Sequence, residues 1–75
     1  MDLSQLEIRL SRHAFMRANE RDIDLAEINK CIKTGKTVKT GKNLLKFIKK
    51  YDNYRIICLC EIRTDCVWVI TVMRD

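Results

Sequence analysis

"LLKFIKKYDNYRIICLCEIRTDCVWVITVMR", residues 44–74, decides the fold. It contains three apolar runs rich in β-branched and aromatic residues: "LLKFIKKY", "YRIICLCEIR" and "CVWVITVMR". Such runs read as strands joined by tight turns, at Asp52-Asn53 and Thr64-Asp65. Asp and Asn both tolerate positive φ, which suits Asp52-Asn53 to a two-residue hairpin. If both turns hold two residues, the register can be written down. Lys50 stands opposite Arg55 and Arg55 opposite Arg74, all on one face. Ile48, Ile57 and Val72 follow on that face, then Lys46, Leu59 and Ile70, with Glu61 and Trp68 near the far end. Leu45, Phe47, Ile56, Cys58, Cys60, Val67, Val69 and Met73 make the other face, which helices are expected to cover.

Just upstream, "TGKTVKTGK" (residues 34–42) carries two Thr-Gly-Lys copies, which suggests turns flanking a short strand. It is not a P-loop, because the first glycine of that motif would fall at Lys30 and no strand precedes it. Further back, "DIDLAEINKCIKTG" offers Asp24 as a helix N-cap with Glu27 at capping-box spacing. Leu25, Ile28 and Ile32 form its apolar stripe, and Gly35 is placed as a left-handed residue closing the helix. "SRHAFMRANER" (residues 11–21) reads as a first helix capped by Ser11 and running to about Arg21. Ala14, Phe15 and Ala18 share one side of it, while His13, Arg17 and Glu20 lie along another. "LEIRL" alternates and reads as a short first strand. This order makes a single α+β domain with the helices on one sheet face.

Composition agrees with a folded domain: 47% of the 75 residues are hydrophobic and 33% charged. No unbroken apolar run is longer than that from Cys66 to Ile70, far short of the roughly 20 residues that cross a bilayer. The start, "MDLSQLEIRL", lacks the basic and apolar regions of an export signal, so a cytoplasmic location and no membrane partner are expected. Four cysteines in that setting are expected as thiols. Cys58 and Cys60 alternate with apolar residues like core positions, and their C-x-C spacing is tighter than zinc pairs usually show. No metal and no cofactor are expected.

The net charge of +5 is unevenly placed, because all eight lysines lie between Lys30 and Lys50 in a segment without an acid. Such a block attracts polyanions. Lysine is also the residue that keeps exposed sheet edges from aggregating, so the block alone leaves both roles open. Like charges opposed across a sheet repel. A row of Lys50, Arg55 and Arg74 therefore suggests an anion among them, unless Asp75 or Glu61 offsets the charge or the side chains splay into water.

The sequence His13-Ala14-x-x-Arg17-x-x-Glu20-Arg21, then "DIDLAEI", then "VITVMR" at the far end, resembles a bacterial and archaeal family of small domains of unknown function. The resemblance runs from about Leu10 to Arg74. One departure is Asp22, where the family often has glycine. That family is similar in architecture to the RelE/ParE toxins and to metal-independent RNases such as barnase and the colicin tRNases. The resemblance implies one RelE/ParE-like domain over residues 1–75, with two N-terminal helices packed on a curved antiparallel sheet of about four strands. It also implies RNA on the open face. ParE-type relatives bind protein targets without cutting RNA.

Metal-free RNA cleavage needs a base for the ribose 2′-OH, an acid for the leaving oxygen, and cations for charge building on phosphorus. An imidazole can act as either acid or base near neutral pH. On this reading, carried from the resemblance, His13 transfers protons while Arg17, Arg55 and Arg74 bind phosphate and stabilise the transition state. Lys36, Lys39, Lys42, Lys46 and Lys50 dock the RNA. Lys50 or Tyr54 serves as a second proton-transfer group, and Trp68 either stacks on a base or packs. The expectation is a toxin-like endoribonuclease acting on RNA or ribosome-associated RNA and held by an antitoxin protein. The alternative is a noncatalytic module of the same fold that binds nucleic acid or protein.

Overall fold

The computed structural model describes residues 6–75; residues 1–5, part of the stretch expected to lack an export signal, lie outside the described residues. The chain order is β1 (Glu7–Leu10), α1 (Arg12–Glu20), α2 (Leu25–Thr34), β2 (Lys36–Gly41), β3 (Leu44–Lys50), β4 (Arg55–Ile62) and β5 (Cys66–Arg74). The strands form one sheet in the order β1-β5-β4-β3-β2. The sheet therefore has five strands rather than about four, and it is mixed rather than purely antiparallel. β1 runs parallel to β5 and covers the edge that a β2–β5 meander would leave open.

Both helices lie on one face. The core joins Ala14, Ala18, Ile28, Cys31 and Ile32 of the helices to Phe47, Ile56, Cys58, Cys60, Val67, Val69 and Val72 of the sheet. Both caps form as their chemistry requires. The Ser11 hydroxyl accepts from Ala14 N–H at 3.0 Å, and the Asp24 carboxylate accepts from Glu27 N–H at 2.8 Å. Two expected stripe members face out instead, since Phe15 is 53% and Leu25 57% exposed. Each helix packs over only a narrow strip of sheet, and the small Ala14 and Ala18 set that approach for α1.

Gly35 does not adopt the left-handed conformation: its φ is −76° and its ψ 168°. Close approach explains the glycine. A Cβ there would stand 2.4 Å from the Cys31 carbonyl oxygen and 2.7 Å from that of Ile48. Positive φ appears at Asp22 (56°) and Asn43 (63°), and not at Asp52 or Asn53. The Asp22 value supplies a physical reason for glycine between the helices, because a residue without Cβ takes that conformation at no steric cost. Asn43 turns the β2–β3 hairpin.

Register decides the faces. The β3–β4 pairing is as expected, with Lys50 opposite Arg55, Ile48 opposite Ile57 and Lys46 opposite Leu59. Between β4 and β5, Glu61 stands opposite Trp68 as expected, but the ladder then shifts between Leu59 and Cys60. Cys60 pairs with Val69 and Leu59 with Thr71, so Ile70 is the extra residue of a bulge. Beyond it every β5 side chain changes face. Val72 enters the core and Met73 turns outward at 39% exposure. Arg74 now pairs with Ile56 on the helix side rather than with Arg55. The expected row of Lys50, Arg55 and Arg74 is therefore broken after Arg55.

Candidate functional site

The face of the sheet opposite the helices is uncovered. Residues directly paired across strands share a face. That rule places Lys36 and Val38 of β2, Lys46, Ile48 and Lys50 of β3, and Arg55, Ile57, Leu59 and Glu61 of β4 on this open side. Thr71, Met73 and Trp68 of β5 join them. Cationic and apolar side chains thus alternate across one surface. No ion pair involves Lys36, Lys46 or Lys50 among the described residues.

At one corner of this face is a cleft of about 460 Å³, bordered by Gly35, Lys36, Val38, Ile48, Lys50 and Arg55. Three strand ends create it, because Lys36 opens β2, Lys50 closes β3 and Arg55 opens β4. Arg55 is also held by Asp75. Its Nε donates to Oδ1 at 2.9 Å and its Nη2 donates to Oδ2, a two-pronged ion pair. Main-chain bonds in both directions between the same two residues, 2.9 and 3.1 Å, fix the pair at the sheet margin. The Arg55 guanidinium holds the Asp75 carboxyl below its ordinary pKa.

At the opposite end the charges are neutralised locally. Arg63 bonds Glu61 at 2.6 Å and lies 4.4 Å above the Trp68 ring, while Arg9 bonds Glu7 at 3.0 Å. The net positive field of the open face is thus concentrated around β2 and β3. Of the five lysines assigned to RNA docking, Lys36, Lys46 and Lys50 project here. Lys39 pairs with Leu45 and so faces the helix side, and Lys42 sits in the β2–β3 turn.

The four residues assigned to catalysis are not brought together on one surface. His13 and Arg17 belong to α1 in the helix layer. Arg17 Nε donates to His13 Nε2 at 3.5 Å, and its Nη1 pairs with Glu20 at 3.2 Å. Arg74 also lies on the helix side, where its guanidinium stacks 4.2 Å above the Tyr54 ring. Tyr54 in turn stacks on Tyr51, with ring centroids 4.8 Å apart. Arg55 alone of the four faces the lysines. Tyr54, one of two candidates for a second proton-transfer group, is engaged in that stack; Lys50, the other, lies at the cleft.

Among the described residues no three His, Cys, Asp or Glu side chains converge as a metal-binding set. The four cysteines are free thiols and all buried. Cys31 Sγ donates to the carbonyls of Phe47 and Ile56, at 3.3 and 3.5 Å, and so ties α2 to β3 and β4. Burial pushes the Cys60 thiol up to about 12. No described helix is long and apolar enough to cross a membrane.

The corner cleft is not evident in the sequence, where Gly35 reads as the residue closing the second helix and Val38 as part of a short strand. The Lys-x-Val alternation at Lys36 and Val38 was the available signal. No curated protein and no solved structure matches the chain. Residues 10–74 match the model of the family described as a domain of unknown function, DUF4258, and the chain belongs to that family.

Proposed function

We propose that this domain is a noncatalytic binding module for single-stranded RNA. Phosphates lie along Lys46, Lys50, Lys36 and Arg55, and sugars and bases rest on Val38, Ile48, Leu59 and the Trp68 end of the sheet. The observation that carries this reading is the uncovered sheet face, on which unpaired lysines alternate with half-exposed apolar side chains. Single strands bind such faces because cations follow the backbone while apolar and aromatic groups take the base faces. Duplex is disfavoured, since its bases are stacked away from a flat sheet.

The endoribonuclease reading needs proton-transfer and phosphate-clamping groups around one scissile bond. His13, Arg17 and Arg74 lie on the helix side and Arg55 on the open side, so binding without cleavage is the reading this arrangement supports better.

Fluorescence anisotropy with a labelled single-stranded RNA, at several salt concentrations and with EDTA present, tests the proposal. The expected result is intact RNA, bound with an affinity that falls steeply with salt. Lys46→Ala and Lys50→Ala are expected to weaken it. Cleavage to 2′,3′-cyclic phosphate ends, lost in His13→Ala, would replace the binding module by the enzyme. RNA that fails to bind at low salt would remove both.

A further inference from the structure

We propose that the corner cleft binds a terminal phosphate group, a phosphomonoester at the end of a nucleic-acid strand, in preference to an internal phosphodiester. This rests on the reading of the open face as an RNA surface, and it assigns one end of that surface a defined chemistry.

The first support is proximity. Lys50 and Arg55 are directly paired, and Lys36 is paired with Ile48, two residues from Lys50 on the same face. Directly paired positions lie about 5 Å apart at Cβ and diagonal ones about 7–8 Å. Those spacings bring two ammonium groups and a guanidinium within reach of a single phosphate. Lys46 lies four residues along β3 from Lys50, roughly 13 Å away, and is too distant to join them. It serves the next part of the strand.

The second support is charge. Four cations border the cleft, of which Lys49 is paired with Ile56 on the helix side; the three on the open face, Lys36, Lys50 and Arg55, stand against the single carboxylate of Asp75, leaving two positive charges in excess on that face. A phosphomonoester carries about −1.5 to −2 at neutral pH, whereas a diester carries a single charge. The monoester is the better match. Its third terminal oxygen also adds an acceptor for a third donor.

The third is shape and placement. The cleft lies where three strands begin or end, so a strand followed along β3 from Lys46 reaches the margin of the sheet there. Val38 and Ile48 supply apolar surface for the terminal sugar or base. The main chain at the cleft offers no free donor from Gly35, whose N–H is bonded to the Cys31 carbonyl at 2.8 Å. The carbonyl end of α2 nearby is weakly unfavourable to an anion. Recognition therefore falls to the side-chain cations, and removing them removes it.

Matched single-stranded RNA oligonucleotides with a 5′-phosphate, a 3′-phosphate or hydroxyls at both ends, and a free nucleoside monophosphate, are titrated into the full chain. One of the two phosphorylated oligonucleotides is expected to bind about tenfold tighter than the hydroxyl form, the gain of at least one further charge-assisted hydrogen bond. That gain is expected to vanish in Lys36→Ala/Lys50→Ala, while the double variant still binds the hydroxyl form, more weakly than wild type does. Lys42→Ala, in the β2–β3 turn, is expected to keep the gain. Equal binding of all three oligonucleotides overturns the terminal-phosphate site but leaves RNA binding standing. A free monophosphate that binds as tightly as the phosphorylated oligonucleotide overturns the strand-end assignment in favour of a free nucleotide. Absence of binding by every oligonucleotide overturns the RNA reading itself.

Discussion

The Ser11 hydroxyl bonds the carbonyl of Ile70, 59 residues away, at 2.9 Å while also capping α1 through Ala14 N–H. Ser11 N–H donates to the neighbouring Val69 carbonyl at 2.9 Å. One residue thus starts the first helix and fastens the bulge that sends Arg74 to the helix side. Ser11→Ala is expected to destabilise the fold by about 1–2 kcal/mol, through loss of the cap and of the hydroxyl that bonds the bulge carbonyl. Urea denaturation measures it. A loss within a few tenths of a kcal/mol would show that the bulge holds without Ser11.

Gly35→Ala is expected to cost about 1–3 kcal/mol, the range of an overpacked site, because the nearest atoms its methyl would meet are backbone carbonyl atoms of α2 and β3. The same substitution at Gly41 meets chiefly the flexible Leu44 side chain, at 3.3 Å, and is expected to cost less. Thermal melts of the two variants side by side decide this.

Asp75 provides a pH test. Its carboxyl pKa is lowered from 3.8, first by the hydrogen bonds from Arg55 and then by its charge. A depressed folded pKa means that the pair stabilises the fold above the unfolded value. That contribution is lost as the pH falls through the lowered one. Carboxyl titration by NMR is expected to show a midpoint below 3.8 that moves up in Arg55→Ala. An unchanged midpoint would mean that the pair does not persist in solution.

The lysines are expected to separate by face. Lys36→Ala, Lys46→Ala and Lys50→Ala should each lower the slope of log affinity against log salt by about 0.7, the value for one single-strand phosphate contact. Lys39→Ala, pointing to the other side, should change it by less than half as much. Equal effects at all four would indicate a diffuse field rather than a tracked strand.

All four thiols are buried, and Cys58, like Cys60, has its pKa raised, by its hydrogen bond with Cys31 and by burial. A disulfide reagent at pH 8 is expected to leave the native chain unmodified and to titrate four thiols after unfolding. Rapid native labelling of Cys31 would contradict its place between α2 and the sheet.

Local chemistry was legible in the sequence where it acts over a few residues. Ser11 and Asp24 cap helices because a hydroxyl or carboxylate there satisfies orphan N–H groups wherever the helix later docks. The β3–β4 pairing followed from a two-residue turn and one unbroken alternation. The β4–β5 pairing did not, because the extra residue at Ile70 is stabilised by Ser11 from the other end of the chain. "VITV" contains four residues of similar β-propensity, and nothing within it marks which is left unpaired. One such residue moved Arg74 across the sheet and dissolved the expected triple cation row. The exposed Phe15 and Leu25 were misjudged for a related reason: helical spacing shows which residues share a side, but not how wide a strip the sheet can accept. Lys46 and Lys50 kept their expected common face because no bulge interrupts the β3–β4 pairing.

Trp68 is the sole indole of the chain, half-buried on the open face of the sheet with the Arg63 guanidinium over its ring. Its emission is therefore an intrinsic optical gauge of that surface. An oligonucleotide long enough to reach the indole will alter the signal by displacing water or the guanidinium, whereas one confined to the β2–β3 corner will leave it unchanged. The length at which quenching first appears will measure, without any label, how far a bound strand extends.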